Sequence, residues 1–160
     1  MRPPAAAPGG SSPSFHTVQD GTQVQLLRLD APQYAFSMQS SPLVVAIVDD
    51  DEAVRRSLRR LLLSLSYQPL AFASGEEFLA ELSKAKLDCV VMDQHMPSLN
   101  GLDVLERMRS EGRGVPVIMV TGFDQPGLRQ KCLEAGAADY LVKPLQASAV
   151  FAAIRAAVAA

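Results

Sequence analysis

The chain has 160 residues, 48% of them hydrophobic, which is enough for one domain with a single packed core. Its formal net charge is −2 and its isoelectric point is near 5.6, which excludes long-range attraction to nucleic acid or to an anionic membrane. Two cysteines, Cys89 and Cys132, are too few and too far apart for a disulfide framework or a four-thiolate zinc site, and both read as reduced core thiols.

No apolar run of about 18 residues is present to span a bilayer, and the N-terminus lacks the basic start and apolar segment of a secretory signal, so a cytoplasmic protein is expected. Residues 1–41 open with "RPPAAAPGGSSPS", a composition that buries too little apolar surface to offset the entropy of ordering. A disordered or weakly structured extension is expected there, with "VQLLRL" as an isolated short strand or helical turn. Met38 stands just before the regular pattern begins and offers an alternative translation start. The folded domain is expected over residues 42–160.

From Leu43 the pattern is regular. "LVVAIV" reads as a strand covered on both faces. A helix follows, with Val54, Leu58, Leu61, Leu62 and Leu65 at helical spacing. Arg55, Arg56, Arg59 and Arg60 lie on its solvated side, where Glu52 and Arg56 form an i,i+4 pair. Asp51 reads as the N-cap of this helix. "QPLAFA" is the second strand, and Ser74 with Glu77 has the form of a capping box opening a helix through Leu82. "LDCVVM" is the third strand, and "LDVLERM" the third helix, with Leu102, Leu105 and Met108 as its apolar stripe. "VPVIMV" is the fourth strand, "QPGLRQKCLEAG" a helix closed by Gly136, "DYLV" the fifth strand, and Phe151, Ile154 and Val158 mark the last helix. Strands alternating with helices imply a parallel sheet with helices on both faces, a three-layer α/β sandwich.

In such sheets, sites form beyond the carboxyl ends of the strands. The residues there are Asp49, Asp50 and Asp51 after the first strand, Asp93 after the third, Thr121 after the fourth and Lys143 after the fifth. If the first and third strands are neighbours, Asp49, Asp50 and Asp93 converge. At about 4 Å and an effective dielectric of about 20, each carboxylate pair repels by roughly 4 kcal/mol, so a cation must bind or a pKa must rise. Hard oxygen donors favour Mg²⁺ over zinc. A carboxylate, a divalent metal, a lysine and a hydroxyl together suit phosphoryl transfer to an aspartate.

"VDDDEAVRRSL", "VVMDQHMPSLNGLDVL", "VIMVTG" and "DYLVKP", in this order and spacing, resemble the receiver domain of bacterial two-component response regulators, of the FixJ-like transcription-factor branch. The resemblance covers residues 43 to about 158 and implies a flavodoxin-like sheet of order 2-1-3-4-5. It implies Asp93 as phosphoacceptor, Asp49 and Asp50 with Asp93 as holders of Mg²⁺, and a backbone carbonyl from His95 to the metal. It further implies Thr121 as the switch hydroxyl, Lys143 as the phosphate-pairing lysine before a cis Pro144, and Tyr140 as the aromatic that reports activation. His95 and Phe123 occupy variable positions that tune phosphate lifetime, and Phe123 is expected to slow hydrolysis.

The implied donor is a histidine kinase or histidine phosphotransfer protein, docked on the first helix and neighbouring loops. The implied output is an unidentified protein target or a phosphorylation-dependent homodimer through the fourth helix, fifth strand and fifth helix. The domain is expected to be a signalling module that catalyses only its own phosphorylation and dephosphorylation. No DNA-binding module follows the last helix, and from Pro42 onward 13 Lys and Arg face 15 Asp and Glu, so direct DNA binding is not expected. The chain reads as a stand-alone receiver or a piece of a longer regulator. Three rivals share parts of this pattern. A flavin-nucleotide binder has the fold, but three acids would repel its phosphate; an aspartate phosphatase carries its nucleophile in a D-x-D pattern on the first strand, whereas the candidate nucleophile here, Asp93, follows the third. The third is a degenerate receiver acting only as an interaction module.

Overall fold

Alternation of strand and helix runs through the whole of residues 41–160, the part of the chain that the computed structural model describes. The expected extension and its "VQLLRL" segment lie outside the described residues. The elements are β1 (Val44–Val48), α1 (Glu52–Ser64), β2 (Gln68–Phe72), α2 (Gly75–Glu81), β3 (Cys89–Asp93), α3 (Gly101–Ser110), β4 (Val117–Thr121), α4 (Leu128–Glu134), β5 (Asp139–Val142) and α5 (Ala147–Ala159). All pairings are parallel and the order is β2-β1-β3-β4-β5, as the resemblance implied.

Successive strand residues point to opposite faces, so each central strand feeds two cores. Val90 and Met92 of β3 join Phe78, Val104, Leu105, Met108, Met119 and Tyr140 on one face. Cys89 and Val91 join Leu58, Leu62, Ile118, Val150 and Ile154 on the other. Helices α1 and α5 therefore cover one face and α2, α3 and α4 the opposite one. Both cysteines are buried and free, as expected of core thiols.

Local chemistry sets the boundaries. Asp51 caps α1, its carboxylate accepting the Ala53 and Val54 N–H groups at 2.8 and 3.3 Å. The Glu52–Arg56 pair forms on the exposed face at 3.3 Å. Ser74 accepts the Glu77 N–H at 3.1 Å, while Glu77 returns to the Ala73 N–H at 2.8 Å instead of to the cap residue itself. Asn100 caps α3 through the Asp103 N–H at 2.9 Å, and Gly136 takes the left-handed conformation, φ 101°, that ends α4.

Three expectations need correction. The third strand begins at Cys89, not Leu87, because Asp88 turns its carboxylate to the Val44 N–H at 2.7 Å. The buried stripe of α3 is Val104, Leu105 and Met108, and Leu102 is only half-buried. Helix α4 begins at Leu128, not at Gln125, since Pro126 and Gly127, the latter at φ 81°, form a turn with no side-chain cap. Among the described residues no helix is long and apolar enough to cross a membrane.

Candidate functional site

The register of the sheet assembles the site. Val48 pairs with Met92 and Asp93 with Val120, so Asp49 and Asp93 emerge side by side and Thr121 follows one place along β4. Thr121 in turn pairs with Val142, which brings Lys143 to the same edge. The Asp49 N–H donates to the Phe72 carbonyl at 3.2 Å and the Lys143 N–H to the Thr121 carbonyl at 2.7 Å, so both functional residues extend the ladder by one bond. They sit on fixed backbone, not on loose loops.

Oxygens of Asp49, Asp50 and Asp93 lie within 4.8 Å of one another. Asp49 and Asp93 are buried, at 2% and 5% exposure, and Asp50 is exposed. The Lys143 ammonium bridges the buried pair, 2.9 Å from Asp49 Oδ2 and 3.1 Å from Asp93 Oδ1. Asp49 Oδ1 accepts the Asp51 N–H at 2.9 Å. Among the described residues, nothing donates a hydrogen bond to Asp93 Oδ2. The peptide bond between Lys143 and Pro144 is cis, as implied by the resemblance.

Burial pushes the Asp93 carboxyl above its ordinary range, against the hydrogen bond from Lys143 and with help from the charge of Asp49. For Lys143 burial opposes the charge, but the hydrogen bonds to Asp49 and Asp93 prevail and hold the ammonium above its ordinary value. Three carboxylates and one ammonium leave a formal surplus of two negative charges. That surplus, presented by hard oxygens, fits one divalent cation such as Mg²⁺.

Around this centre the structure places the remaining residues singled out from the sequence. Thr121 is fully buried, and its hydroxyl lies 3.1 Å from His95 Nδ1 and 3.0 Å from the Phe123 carbonyl, and accepts the Phe123 N–H at 3.1 Å. His95 is exposed, and its ring is not among the groups that converge with Asp49, Asp50 and Asp93. Its ring meets that of Phe123 edge-on, with centroids 6.3 Å apart, and Phe123 is 64% exposed. Tyr140 is buried, and its hydroxyl donates to Asp124 Oδ1 at 2.9 Å. Burial, followed by the Asp124 contact, pushes its phenol up to about 12.

Sequence reasoning missed four supporting residues. Arg55, assigned to the solvated face, turns back so that its guanidinium donates to the Asp49 carbonyl at 2.8 Å. Gln94 is buried and its side-chain oxygen accepts the Leu102 N–H at 3.0 Å, tying the start of α3 to the end of β3. Gly101 lies so close that a Cβ there would fall 2.5 Å from the Asp93 carbonyl and 2.6 Å from Met119 Cε. Asp124 joins through its bond to Tyr140. Only Gly101 carried a usable signal, an Asn-Gly pair at a helix start.

Residues 45–155 match the family model described as the response regulator receiver domain. The chain is 32% identical over 120 residues to the response regulator protein TodT of Pseudomonas putida, covering 75% of this chain and 53% of that one. It is 40% identical over 115 residues to the response regulator MprA of Mycolicibacterium vanbaalenii, covering 72% and 50%. The chain thus spans about half the length of these curated relatives. The crystal structure of FixJ-N superposes with a TM-score of 0.70 at 29% identity, covering 75% of this chain and 96% of that one.

Proposed function

Because this chain belongs to the response regulator receiver domain family of two-component systems, we propose that Asp93 accepts a phosphoryl group from a histidine kinase or histidine phosphotransfer protein. The observation that carries this reading is the bridged cluster: Lys143 spans Asp49 and Asp93 while Asp50 completes a three-carboxylate rim. Asp93 Oδ2, with no donor among the described residues, is the oxygen positioned to attack. The new bond is Oδ2–P, the bond broken is the N–P bond of the donor phosphohistidine, and the leaving imidazole takes up a proton. Lys143 pairs with the phosphoryl oxygens as the carboxylate it held becomes an acyl phosphate. Asp49, Asp50 and Asp93, with the backbone carbonyl of His95, would hold Mg²⁺, which when bound offsets the negative charge of the phosphoryl oxygens.

Thr121 and Tyr140 read the product. A hydrogen bond to a charged group is worth about 1.5 to 3 kcal/mol, which shifts a two-state equilibrium roughly ten- to a hundredfold. The affected surface is α4, β5 and α5, where Leu133 and Val142 are exposed, and it suits a protein target or a second copy of the chain. For the donor, an apolar groove of about 540 Å³ runs between α1 and the loop after β5, lined by Val54, Leu58, Leu61, Pro144 and Leu145 and bordered by Lys143. This gives a helical partner a seat beside the reacting centre. The domain so read covers residues 42–160, acts in the cytoplasm, and turns over only its own phosphate.

An interaction module that never takes up phosphate is disfavoured, since such a module gains nothing from burying Asp49 and Asp93 side by side under the half-buried Lys143. Incubation with acetyl phosphate and Mg²⁺ should add one phosphoryl mass that is lost on hydrolysis of the acyl phosphate. Asp93→Asn should stay unlabelled; equal labelling of that variant refutes the assignment.

A further inference from the structure

Three partners surround the Thr121 hydroxyl, and its single proton is already committed to one of them. A hydroxyl offers one proton and two lone pairs. The Phe123 N–H fills one lone pair at 3.1 Å. Either the proton goes to the Phe123 carbonyl at 3.0 Å and His95 Nδ1–H fills the second lone pair, or the proton goes to His95 Nδ1 at 3.1 Å. Among the described residues the hydroxyl makes no hydrogen bond to Asp93 or Lys143. His95 lies two residues beyond Asp93, and its ring is braced edge-on against Phe123 at a 76° interplanar angle, an arrangement favoured by the ring quadrupoles. A buried hydroxyl whose one proton is already given can turn to a new acceptor only by breaking out of this set of partners.

We infer that the His95 imidazole is a latch on the switch threonine: it keeps the Thr121 hydroxyl in a network that omits Asp93, and it competes with the phosphoryl group for that hydroxyl. The inference rests on the reading of Asp93 as phosphoacceptor and of Thr121 as the group that answers it. It makes His95 a positioning residue whose effect falls on the switching equilibrium, separate from any effect on phosphate lifetime. One neutral hydrogen bond changes such an equilibrium about two- to twelvefold.

Two substitutions isolate the latch. His95→Leu keeps a bulky side chain beside Phe123 but cannot bond to Thr121. His95→Asn carries its amide on the same Cγ branch as the imidazole Nδ1 and can keep the bond. In the full chain with Mg²⁺, beryllofluoride, an acyl-phosphate mimic, should bind His95→Leu about two- to twelvefold tighter than wild type, with His95→Asn close to wild type. Each protein is compared at Mg²⁺ saturating for that protein, so that a difference in metal affinity does not enter the comparison. In the protein without beryllofluoride, NMR couplings should report one Thr121 χ1 rotamer in wild type and in His95→Asn, and rotamer averaging in His95→Leu. A single unchanged rotamer in His95→Leu, or beryllofluoride affinity that is equal or weaker there, overturns the latch. Failure of the wild type itself to bind beryllofluoride would strike the phosphoacceptor reading, and the rotamer comparison would still decide the latch.

Discussion

Asp93→Asn should make the metal-free protein more stable even as it removes the proposed phosphoacceptor. The Asp93 carboxylate is 5% exposed and its oxygens share a 4.8 Å sphere with those of Asp49 and Asp50. At an effective dielectric of about 20, each such repulsion is roughly 3.5 kcal/mol, and the attraction of Lys143 at 3.1 Å is roughly 5 kcal/mol. Asp50 is exposed, so solvent and salt reduce its share. The charge interactions then nearly cancel, and desolvation, the main cause of the raised Asp93 pKa, decides the sign. Asparagine fills a similar volume with no charge to desolvate, and a gain of about 1 to 2 kcal/mol is expected near neutral pH.

The pH dependence has a definite sign. Asp93 holds its proton to higher pH in the folded state than in the unfolded state. Its penalty is therefore absent below the ordinary carboxyl value near pH 4, grows as pH rises past that value, and is complete above the raised one. The advantage of the variant should shrink toward zero in acid. With Mg²⁺ at about 100 times its Kd the wild type gains about 2.7 kcal/mol, which reverses the order if the variant binds the ion poorly. Urea denaturation followed by circular dichroism, in chelator and in Mg²⁺, reads all three conditions. A metal-free variant less stable than wild type near neutral pH, or an advantage indifferent to both acid and Mg²⁺, would refute the reasoning.

Gly101→Ala should lose about 1 to 3 kcal/mol in the same denaturation assay, because its Cβ meets the Asp93 carbonyl and Met119 at under 3 Å; a loss of less than about 0.5 kcal/mol would show that the acceptor strand gives way freely. Phe123→Ala, opening the exposed side of the site, should shorten the lifetime of the acyl phosphate, followed by loss of the phosphoryl mass after donor removal; an unchanged lifetime removes Phe123 from that role. Tyr140→Phe tests the phenol pushed up to about 12. In wild type the unfolded phenol ionises near pH 10 while the folded one resists, so stability should fall by up to about 2 kcal/mol as pH rises from about 10 to about 12, and the variant should lack that component.

How much of this was legible beforehand depended on the range of the interaction. Continuous apolar strand runs and period-3.6 helix patterns, the Asp51 cap, the Ser74–Glu77 pair and the Gly136 stop are set within a few residues of chain, and each marks its element correctly. Boundaries slipped where a long-range bond intervened, as at Asp88, which reaches the Val44 N–H on the neighbouring strand. Arg55 was misplaced for a similar reason: helical periodicity puts it toward solvent, and only the path of the loop after β1 brings the Asp49 carbonyl within its reach.

For the site, the identities of Asp49, Asp50, Asp93, Thr121 and Lys143 follow from reading what comes next after each apolar strand, since acids and a lysine at buried strand ends have few other uses. Their convergence is a matter of strand order, which alternating elements alone leave open and which the parallel β1–β3 and β4–β5 registers settle. The engagement of Thr121 by His95 and of Tyr140 by Asp124 was decided by tertiary structure alone. Each bond joins a strand side chain to one on a loop, at separations of 26 and 16 residues, and no local propensity encodes where a strand and a distant loop will meet.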